Sequence, residues 1–166
     1  VFQYREGLSG YLAELSRGDF VVPAFAGSGY VAEDDEEEAT GFSPGEGAEW
    51  AFSWQESGEG AGRSFVNLIP TPQHGTHVAG LKSALFVALK TFIEFQGLLP
   101  KGLKLSADDA YRGLRFVLSL RLLDPGFDNQ TKDRLNSREA VKLVEKFVRP
   151  SVEAWLNHNP AQAKNI

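Results

Sequence analysis

The alternation of apolar and polar positions along the chain predicts two kinds of element. Trp50–Gln55 and Leu114–Leu122 alternate with a period of two, which is typical of strands that bury one face. Beyond residues 71–76, apolar side chains recur at helical spacing and predict a long helix that ends near Gly97. The predicted apolar stripe of this helix consists of Val78, Leu81, Leu85, Ala88, Leu89, Phe92 and Phe95. The pattern therefore predicts a domain that combines strands with helices.

Two more extended segments are predicted. Asp19–Tyr30 has Pro23 near its centre, which favours an edge strand or an irregular strand. Phe65–Ile69 follows a glycine-rich turn at Ser57–Gly62. We expect it to pair with Trp50–Gln55 as an antiparallel hairpin.

Shorter helices are predicted from apolar spacing and from capping patterns. Gly7–Ser16 carries leucines and a tyrosine on one helical face. Ser106–Asp109 has the pattern of a capped helix start. Asn136–Glu139 has a capping-box pattern, and the apolar residues that follow predict a helix or a helix pair with a bend at Pro150.

Charge is distributed unevenly along the chain. Residues 1–60 hold 13 acidic and 2 basic side chains, a net of −11, whereas residues 61–166 hold 9 acidic and 15 basic ones, a net of +6. The acidic run Glu33–Glu38 leads into a stretch rich in Gly, Ser and Pro, so we expect 33–47 to be a mobile surface loop without an apolar anchor. The basic remainder indicates contact with a polyanion or, alternatively, a solvated surface.

Composition narrows the class of protein. The chain has 166 residues and no cysteine, which allows one domain with a core and excludes disulfides and Cys-ligated metals. A metal site at His74 and His77 would need a third ligand, and the only other histidine is His158, far along the chain. We therefore predict no metal site and a structural or hydrogen-bonding role for both. No apolar run approaches the roughly 20 residues of a membrane span. The start at Val1 and the absence of methionine are expected for a fragment of a longer protein.

The strongest candidate for chemistry is a polar loop between the last predicted strand and the helix that follows it. We call residues 124–135 the Gln-Thr-Lys loop. Its Asp-Pro-Gly turn leads to Gln130, Thr131 and Lys132. An amide and an ammonium group suit a terminal phosphate, where catalysis depends on positioning and charge neutralisation. The alternative is an ordinary solvated loop, and on the residues alone this alternative is the commoner case.

Three blocks of sequence, in family order, resemble the B subunits of bacterial type IIA topoisomerases. The Gln-Thr-Lys loop resembles the switch loop of that family, and Ser64–Pro70 with Gly75–His77 resembles its other signature. Pro100–Asp109 is more similar to the topoisomerase IV B subunit than to the gyrase B subunit. The family usually has glycine where this chain has His74, which puts the local turn geometry in question.

The resemblance implies a fold and a domain organisation. The implied fold is α+β, a two-layer sandwich of helices on a mixed or antiparallel sheet with a left-handed β-α-β crossover, like the second domain of ribosomal protein S-five. Residues 1–166 are then a single transducer domain. An ATPase domain is expected upstream of it and a DNA-cleavage module downstream.

The resemblance also implies a mechanism. A transducer couples ATP binding and hydrolysis in a neighbouring domain to the capture and passage of a DNA duplex through a double-strand break. Lys132 and Gln130 are the implied catalytic contacts with the ATP γ-phosphate, and Thr131 shares their cofactor site. Lys82 is implied to face DNA, and the alternative is an ordinary solvated lysine. ATP and magnesium are held mainly by the missing ATPase domain, so the isolated chain is expected to be inactive.

The implied partners follow from the same family. They are double-stranded DNA, the topoisomerase IV A subunit in a heterotetramer with two copies of each subunit, and a second B subunit on ATP binding. The implied location is the bacterial cytoplasm, at the nucleoid, with no membrane association. The rival hypothesis is a non-catalytic nucleic-acid- or protein-binding module of the same fold, which has no need for the pair Gln130 and Lys132.

Overall fold

A five-stranded mixed sheet with helices against it forms the body of the molecule, in a computed structural model that describes residues 7–16, 19–34 and 41–166. The order of the strands across the sheet is β1-β2-β5-β3-β4. The strands are β1 Phe25–Tyr30, β2 Gly47–Trp54, β3 Ala61–Val66, β4 Ile69–Pro70 and β5 Leu114–Arg121. The helices are α1 Gly7–Leu15, α2 Thr76–Gln96, α3 Ala107–Tyr111, α4 Glu139–His158 and α5 Pro160–Ala163. The predicted α+β class is confirmed.

The central strand of the sheet is β5. It pairs antiparallel with β2 and parallel with β3, so the predicted hairpin between Trp50–Gln55 and Phe65–Ile69 is wrong. The physical reason is burial, since β5 buries Phe116 and Leu118 on one face and Val117 on the other. A strand that is apolar on both faces is most stable in the middle of a sheet.

The parallel pair β3 and β5 is joined by a crossover that contains β4, α2 and α3. The left hand expected for this crossover stays a prediction. The predicted long helix is confirmed as α2, and Gly97 ends it in a left-handed conformation with φ of 62°. Burial along α2 stops at Phe92, so the assignment of Phe95 to the apolar stripe is wrong, since its side chain is 83% exposed.

The helical layer consists mainly of α2 and α4, which pack against each other and against one face of the sheet. A Cβ atom at Gly80 of α2 would lie 2.8 Å from the carbonyl oxygen of Val141 in α4, so the absence of a side chain permits this close approach. Trp155 of α4 packs on Phe25 of β1, with ring centroids 4.1 Å apart. The second predicted alternative, a helix pair, is wrong because α4 is one helix with Pro150 inside it.

The opposite face of the sheet is partly covered by α1, whose predicted helix is confirmed. Leu12 of α1 is buried against Ala51 of β2 and Val117 of β5 in a second, smaller apolar cluster. The predicted edge position of Asp19–Tyr30 is confirmed by β1, which pairs only with β2 in the described sheet.

The acidic segment 33–47 was predicted to be mobile. Residues 35–40 of this segment lie outside the described residues. Its second half packs on the domain. Phe42 is buried in the main core, and the Glu46 carboxylate accepts hydrogen bonds from the backbone N–H groups of Ser43 (3.0 Å) and Leu123 (3.1 Å). The expectation that the segment has no apolar anchor is therefore wrong for residues 41–47. Among the described helices, none has both the length and the apolar character of a bilayer span.

Candidate functional site

The Gln-Thr-Lys loop closes on itself at its base. Phe127 and Leu135 form an antiparallel bridge, and the N–H of Asp128 donates to the carbonyl of Arg134 at 3.0 Å. The N–H of Asn136 donates to the carbonyl of Gly126 at 2.8 Å. These bonds leave a tip, residues 129–133, beyond the paired base.

Side-chain hydrogen bonds within the tip involve Thr131. Its hydroxyl lies 2.8 Å from Oδ1 of Asn129 and 2.7 Å from Oδ2 of Asp133. The N–H of Lys132 donates to the carbonyl of Asn129 at 3.3 Å, and Lys132 has a positive φ of 59°. Such local polar bonds hold short turns together. The hydroxyl of Thr131 is therefore engaged inside the loop, whereas the side chains on either side of it point into solvent.

Gln130 and Lys132 are both exposed. Within residues 7–16, 19–34 and 41–166, no hydrogen bond to the Gln130 amide and no ion pair to the Lys132 ammonium is formed. Nζ of Lys132 lies 5.9 Å from the ring centroid of Phe127, at the outer limit of a cation–π contact. The tip therefore presents to solvent a cation and an amide, neither of which has a hydrogen-bond or ion-pair partner in the described chain.

The return of the loop is attached to the start of α2. The N–H of Leu135 donates to the carbonyl of His74 (2.9 Å), and the N–H of Thr76 donates to the carbonyl of Leu135 (3.1 Å). Gly75 has φ of 130°, and a Cβ atom there would overlap the backbone of Leu135. Only glycine fits this contact. The structure thus joins two of the blocks singled out in the sequence, the loop and Gly75–His77.

Beneath this junction lies a chain of polar side chains, of which Ser64, Thr71 and His77 are buried and His74 is half-buried. Oγ of Ser64 in β3 lies 2.7 Å from Oγ1 of Thr71 and 2.6 Å from Nδ1 of His74. Oγ1 of Thr71 lies 3.1 Å from Nε2 of His77. We call Ser64, Thr71, His74 and His77 the polar network. It confirms the structural, hydrogen-bonding role predicted for the two histidines.

The pKa values of both histidines of the polar network are lowered. Burial, followed by the neighbouring His74, lowers the pKa of His77 to about 3. Burial also lowers the pKa of His74, and the cations Lys82 and Arg63 lower it further. His77 is fully buried, and its Nδ1 has no hydrogen-bond partner among the described residues. A neutral imidazole is the form that such a site tolerates, since an uncompensated buried charge is costly.

His74 answers the question raised by its replacement of a glycine. Its φ is 60°, a left-handed conformation that glycine adopts easily and that most other residues avoid. The turn is therefore kept with histidine in place. The bond to Ser64 and the packing of the ring on Phe116, 5.5 Å between centroids, help to offset the strain.

Lys82 belongs to a different neighbourhood from the loop tip. Its ammonium lies 5.2 Å from the ring centroid of Tyr111, and its charge acts on His74 together with that of Arg63. The side chain is half-buried, and no described carboxylate forms an ion pair with it. The structure thus separates the sequence-predicted residues into an exposed group, Gln130, Thr131 and Lys132, and a half-buried cation on α2.

Sequence reasoning missed several residues that hold the loop. The predicted capping box at Asn136–Glu139 is wrong, because the helix cap falls on Arg138 without a side-chain bond. Oγ of Ser137 instead accepts a hydrogen bond from the N–H of Gly126 at 2.7 Å. Ser64 was visible only as part of a resembling block, and Thr71, which lies outside that block, only as part of the segment that leads into the long helix. The described residues contain no group of three or more His, Asp or Glu side chains placed to hold a metal ion.

Solved structures with the same fold define the class. The chain matches the 43K ATPase domain of Thermus thermophilus gyrase B, solved with an aminocoumarin, with a TM-score of 0.82 and 26% identity over 98% of this chain and 41% of that one. It matches the topoisomerase IV ATP-binding domain of Francisella tularensis, solved with a small-molecule inhibitor, with a TM-score of 0.76 and 32% identity over 98% and 41%. The fold is that of bacterial type IIA topoisomerase B subunits.

The sequence comparisons give the family. Residues 7–166 match the family model of DNA gyrase B, and the chain belongs to that family. It is 39% identical to the DNA topoisomerase 4 B subunit of Haemophilus influenzae, over all of this chain and 25% of the relative. It is 40% identical to the same protein of Escherichia coli over 97% of this chain and 24% of the relative. The chain thus spans about a quarter of the length of these curated relatives.

Proposed function

We propose that the chain is the transducer domain of a topoisomerase IV B subunit. In this role it couples ATP binding and hydrolysis in a neighbouring domain to the capture and passage of a DNA duplex through a double-strand break. The observation that carries the proposal is the free cation and amide at the tip of a loop whose base is firmly bonded. Membership of the family supports it.

The tip supplies the chemistry. Lys132 brings a positive charge that no described carboxylate neutralises, and Gln130 brings an amide donor. Near the γ-phosphate of ATP, these groups offset the negative charge that moves during phosphoryl transfer. Adenine, magnesium and the remaining phosphates are bound by the ATPase domain, so this chain contributes to the terminal phosphate alone.

The base transmits the state of the nucleotide. When the γ-phosphate leaves, Lys132 and Gln130 lose their partner, and the preferred position of the tip changes. Leu135 is bonded to both His74 and Thr76, so a displacement of the loop reaches the start of α2 directly. This is a two-state coupling device of the kind that phosphate-sensing loops use.

The proposed partners are a DNA duplex, the A subunit in a heterotetramer with two copies of each subunit, and a second B subunit when ATP binds. Lys82 is proposed to face the DNA, where it and Arg63 attract backbone phosphate without reading sequence. The support is that neither cation has an ion-pair partner among the described residues. The proposed location is the bacterial cytoplasm, at the nucleoid.

The test is Lys132→Ala in the full-length protein, assembled with the A subunit. Steady-state ATP hydrolysis should fall by about 10²–10³, the usual effect of removing one charge-stabilising donor, while nucleotide affinity is retained. Gln130→Ala should have a smaller effect, because a neutral donor is weaker than a charged one. Lys90→Ala, which removes an exposed lysine on α2, is the matched control and should keep parental turnover. Parental turnover in Lys132→Ala would refute the proposal.

A second test uses the chain by itself. Because the adenine and magnesium sites are assigned to another domain, calorimetry with a non-hydrolysable ATP analogue should detect no binding at micromolar protein. Micromolar affinity would show that residues 1–166 hold a nucleotide site of their own, and the division of labour proposed above would be wrong.

A further inference from the structure

Asn67 contacts the chain at the end of β5, just before the Gln-Thr-Lys loop begins. The ladder between β3 and β5 ends at Val66 and Leu120, and the N–H of Asn67 donates to the carbonyl of Leu120 at 2.8 Å. The side-chain amide then continues the ladder by one more residue. Its Nδ2 donates to the carbonyl of Leu122 (2.8 Å), and its Oδ1 accepts from the N–H of Leu122 (3.0 Å).

The backbone turn aims this amide at Leu122. Asn67 and Leu68 have φ of 49° and 67°, and together they form the two-residue connection between β3 and β4. Two positive φ values are the signature of a type I′ turn, where asparagine is favoured at the first position. Leu68 adopts this conformation without the stabilisation of burial, since its side chain is 86% exposed. The turn is therefore maintained at a cost in backbone strain, and the hydrogen bonds of the Asn67 side chain help to offset this cost.

A second contact holds the next residue from the other side. The Glu46 carboxylate, just before β2, accepts the N–H of Leu123. Leu122 itself is buried in the core. The two residues that precede Asp124 are thus fixed from the β3 side and from the β2 side. Since Leu135 fixes the return, the origin and the end of the loop are both determined by the fold.

We propose that Asn67 is a positioning residue for the Gln-Thr-Lys loop. It sets the point at which β5 ends, and so fixes where Lys132 and Gln130 stand relative to the phosphate. It does not touch the nucleotide, and it acts only through the loop. This inference rests on the proposed function, because it assigns the hydrogen bonds between Asn67 and Leu122 a purpose in ATP hydrolysis.

The test is Asn67→Gly in the full-length protein assembled with the A subunit. Glycine accepts the positive φ, so the turn is retained while the amide is lost. The kcat of ATP hydrolysis should fall about 10- to 100-fold, as expected when a reacting group is displaced by about 1 Å, with little change in the KM for ATP. Asn67→Asp places a carboxylate oxygen against the Leu122 carbonyl and should be similarly impaired. Leu68→Gly relaxes the same turn without removing the amide and should keep parental kcat.

A combined variant separates positioning from a general loss of stability. If Asn67 acts through Lys132 and Gln130, adding Asn67→Gly to a variant that carries both Lys132→Ala and Gln130→Ala should lower kcat no further. An equal loss in the presence and in the absence of these two side chains would overturn the inference, and so would a parental kcat in Asn67→Gly. In that last case a strongly impaired Lys132→Ala would leave the proposed function standing. Parental turnover in Lys132→Ala would instead remove the proposed function and this inference together.

Discussion

The tip and the base of the Gln-Thr-Lys loop lie within a few residues of each other and differ in almost every physical respect. At the tip, the side chains of Gln130 and Lys132 are exposed and form no hydrogen bond or ion pair within the described chain. At the base, Leu135 is 1% exposed and is bonded through its backbone to the start of α2. The fold therefore determines the positions of the residues at the base, whereas no described hydrogen bond or ion pair holds the side chains of Gln130 and Lys132 at the tip. Substitutions should separate the two regions by their effect on stability.

The largest effect is expected at the base, in Gly75→Ala. Alanine would have to adopt φ of 130° with its Cβ overlapping Leu135, so one of the two segments must move. We expect the free energy of unfolding to fall by at least about 3 kcal/mol, measured by urea denaturation. Gly97→Ala is the control, because its φ of 62° is also left-handed but a Cβ there meets open space. It should cost only about 1 kcal/mol, and equal costs for the two variants would contradict the tight junction.

The second effect is a dependence of stability on pH that arises in the polar network. The unfolded imidazole of His77 takes up a proton near pH 6.5, whereas burial lowers the pKa in the folded chain to about 3. Between these values the unfolded state binds more protons than the folded state. The free energy of unfolding is therefore highest above about pH 6.5, and it decreases as the pH is lowered, by up to ~1.4 kcal/mol per pH unit. His77→Gln should reduce the slope between pH 7 and pH 5. An unchanged slope in His77→Gln would contradict the assignment.

A smaller effect is expected for His74→Gly. Glycine relieves the positive φ of 60°, a gain of about 1 kcal/mol, and loses the hydrogen bond to Ser64, a loss of similar size. The two changes should nearly cancel in the free energy of unfolding. A loss above about 2 kcal/mol would show that the bond to Ser64 outweighs the strain, and that the polar network depends on the imidazole at position 74.

A similarly small effect on stability is expected at the tip. Lys132→Ala should change the free energy of unfolding of the isolated chain by no more than about 0.5 kcal/mol, because the side chain is exposed. Leu135→Ala, three residues further on, should cost about 2–5 kcal/mol, because it removes a buried side chain. The stabilities of both variants and of the parent should be compared by thermal denaturation. A large loss in Lys132→Ala would mean that the tip is part of the folded framework.

Local patterns in the sequence predicted the helices and strands themselves better than they predicted which elements pair or pack together. The period of two found β5, and the helical spacing found α2 with its glycine cap at Gly97. The strand pairing was wrong because β5 enters the sheet between β2 and β3 from about 50 residues away in sequence. Ser137 matched a capping pattern, yet its hydroxyl bonds to Gly126 across the base of the loop. In both cases a long-range contact outweighed the local preference.

The candidate site also contains residues that the sequence could predict and residues that it could not. Gln130, Thr131 and Lys132 are contiguous, so a motif shows all three at once. The residues that support them come from separate segments, such as Asn67 on the turn after β3 and Glu46 before β2. No spacing in the sequence links those positions to the loop, since their distances are set by the three-dimensional order of the strands.

The close packing at Gly80 has a mechanical consequence. Because α4 approaches the α2 backbone at that point, the two helices cannot slide or separate there without losing close contact. The helix α2 begins next to the bridge between Gly75 and Leu135, and α4 begins four residues after Leu135. A shift of Leu135 would therefore act on the first turns of both helices at once. The pair would turn as a single rigid body, and a motion at one loop would be converted into the rotation of a whole layer.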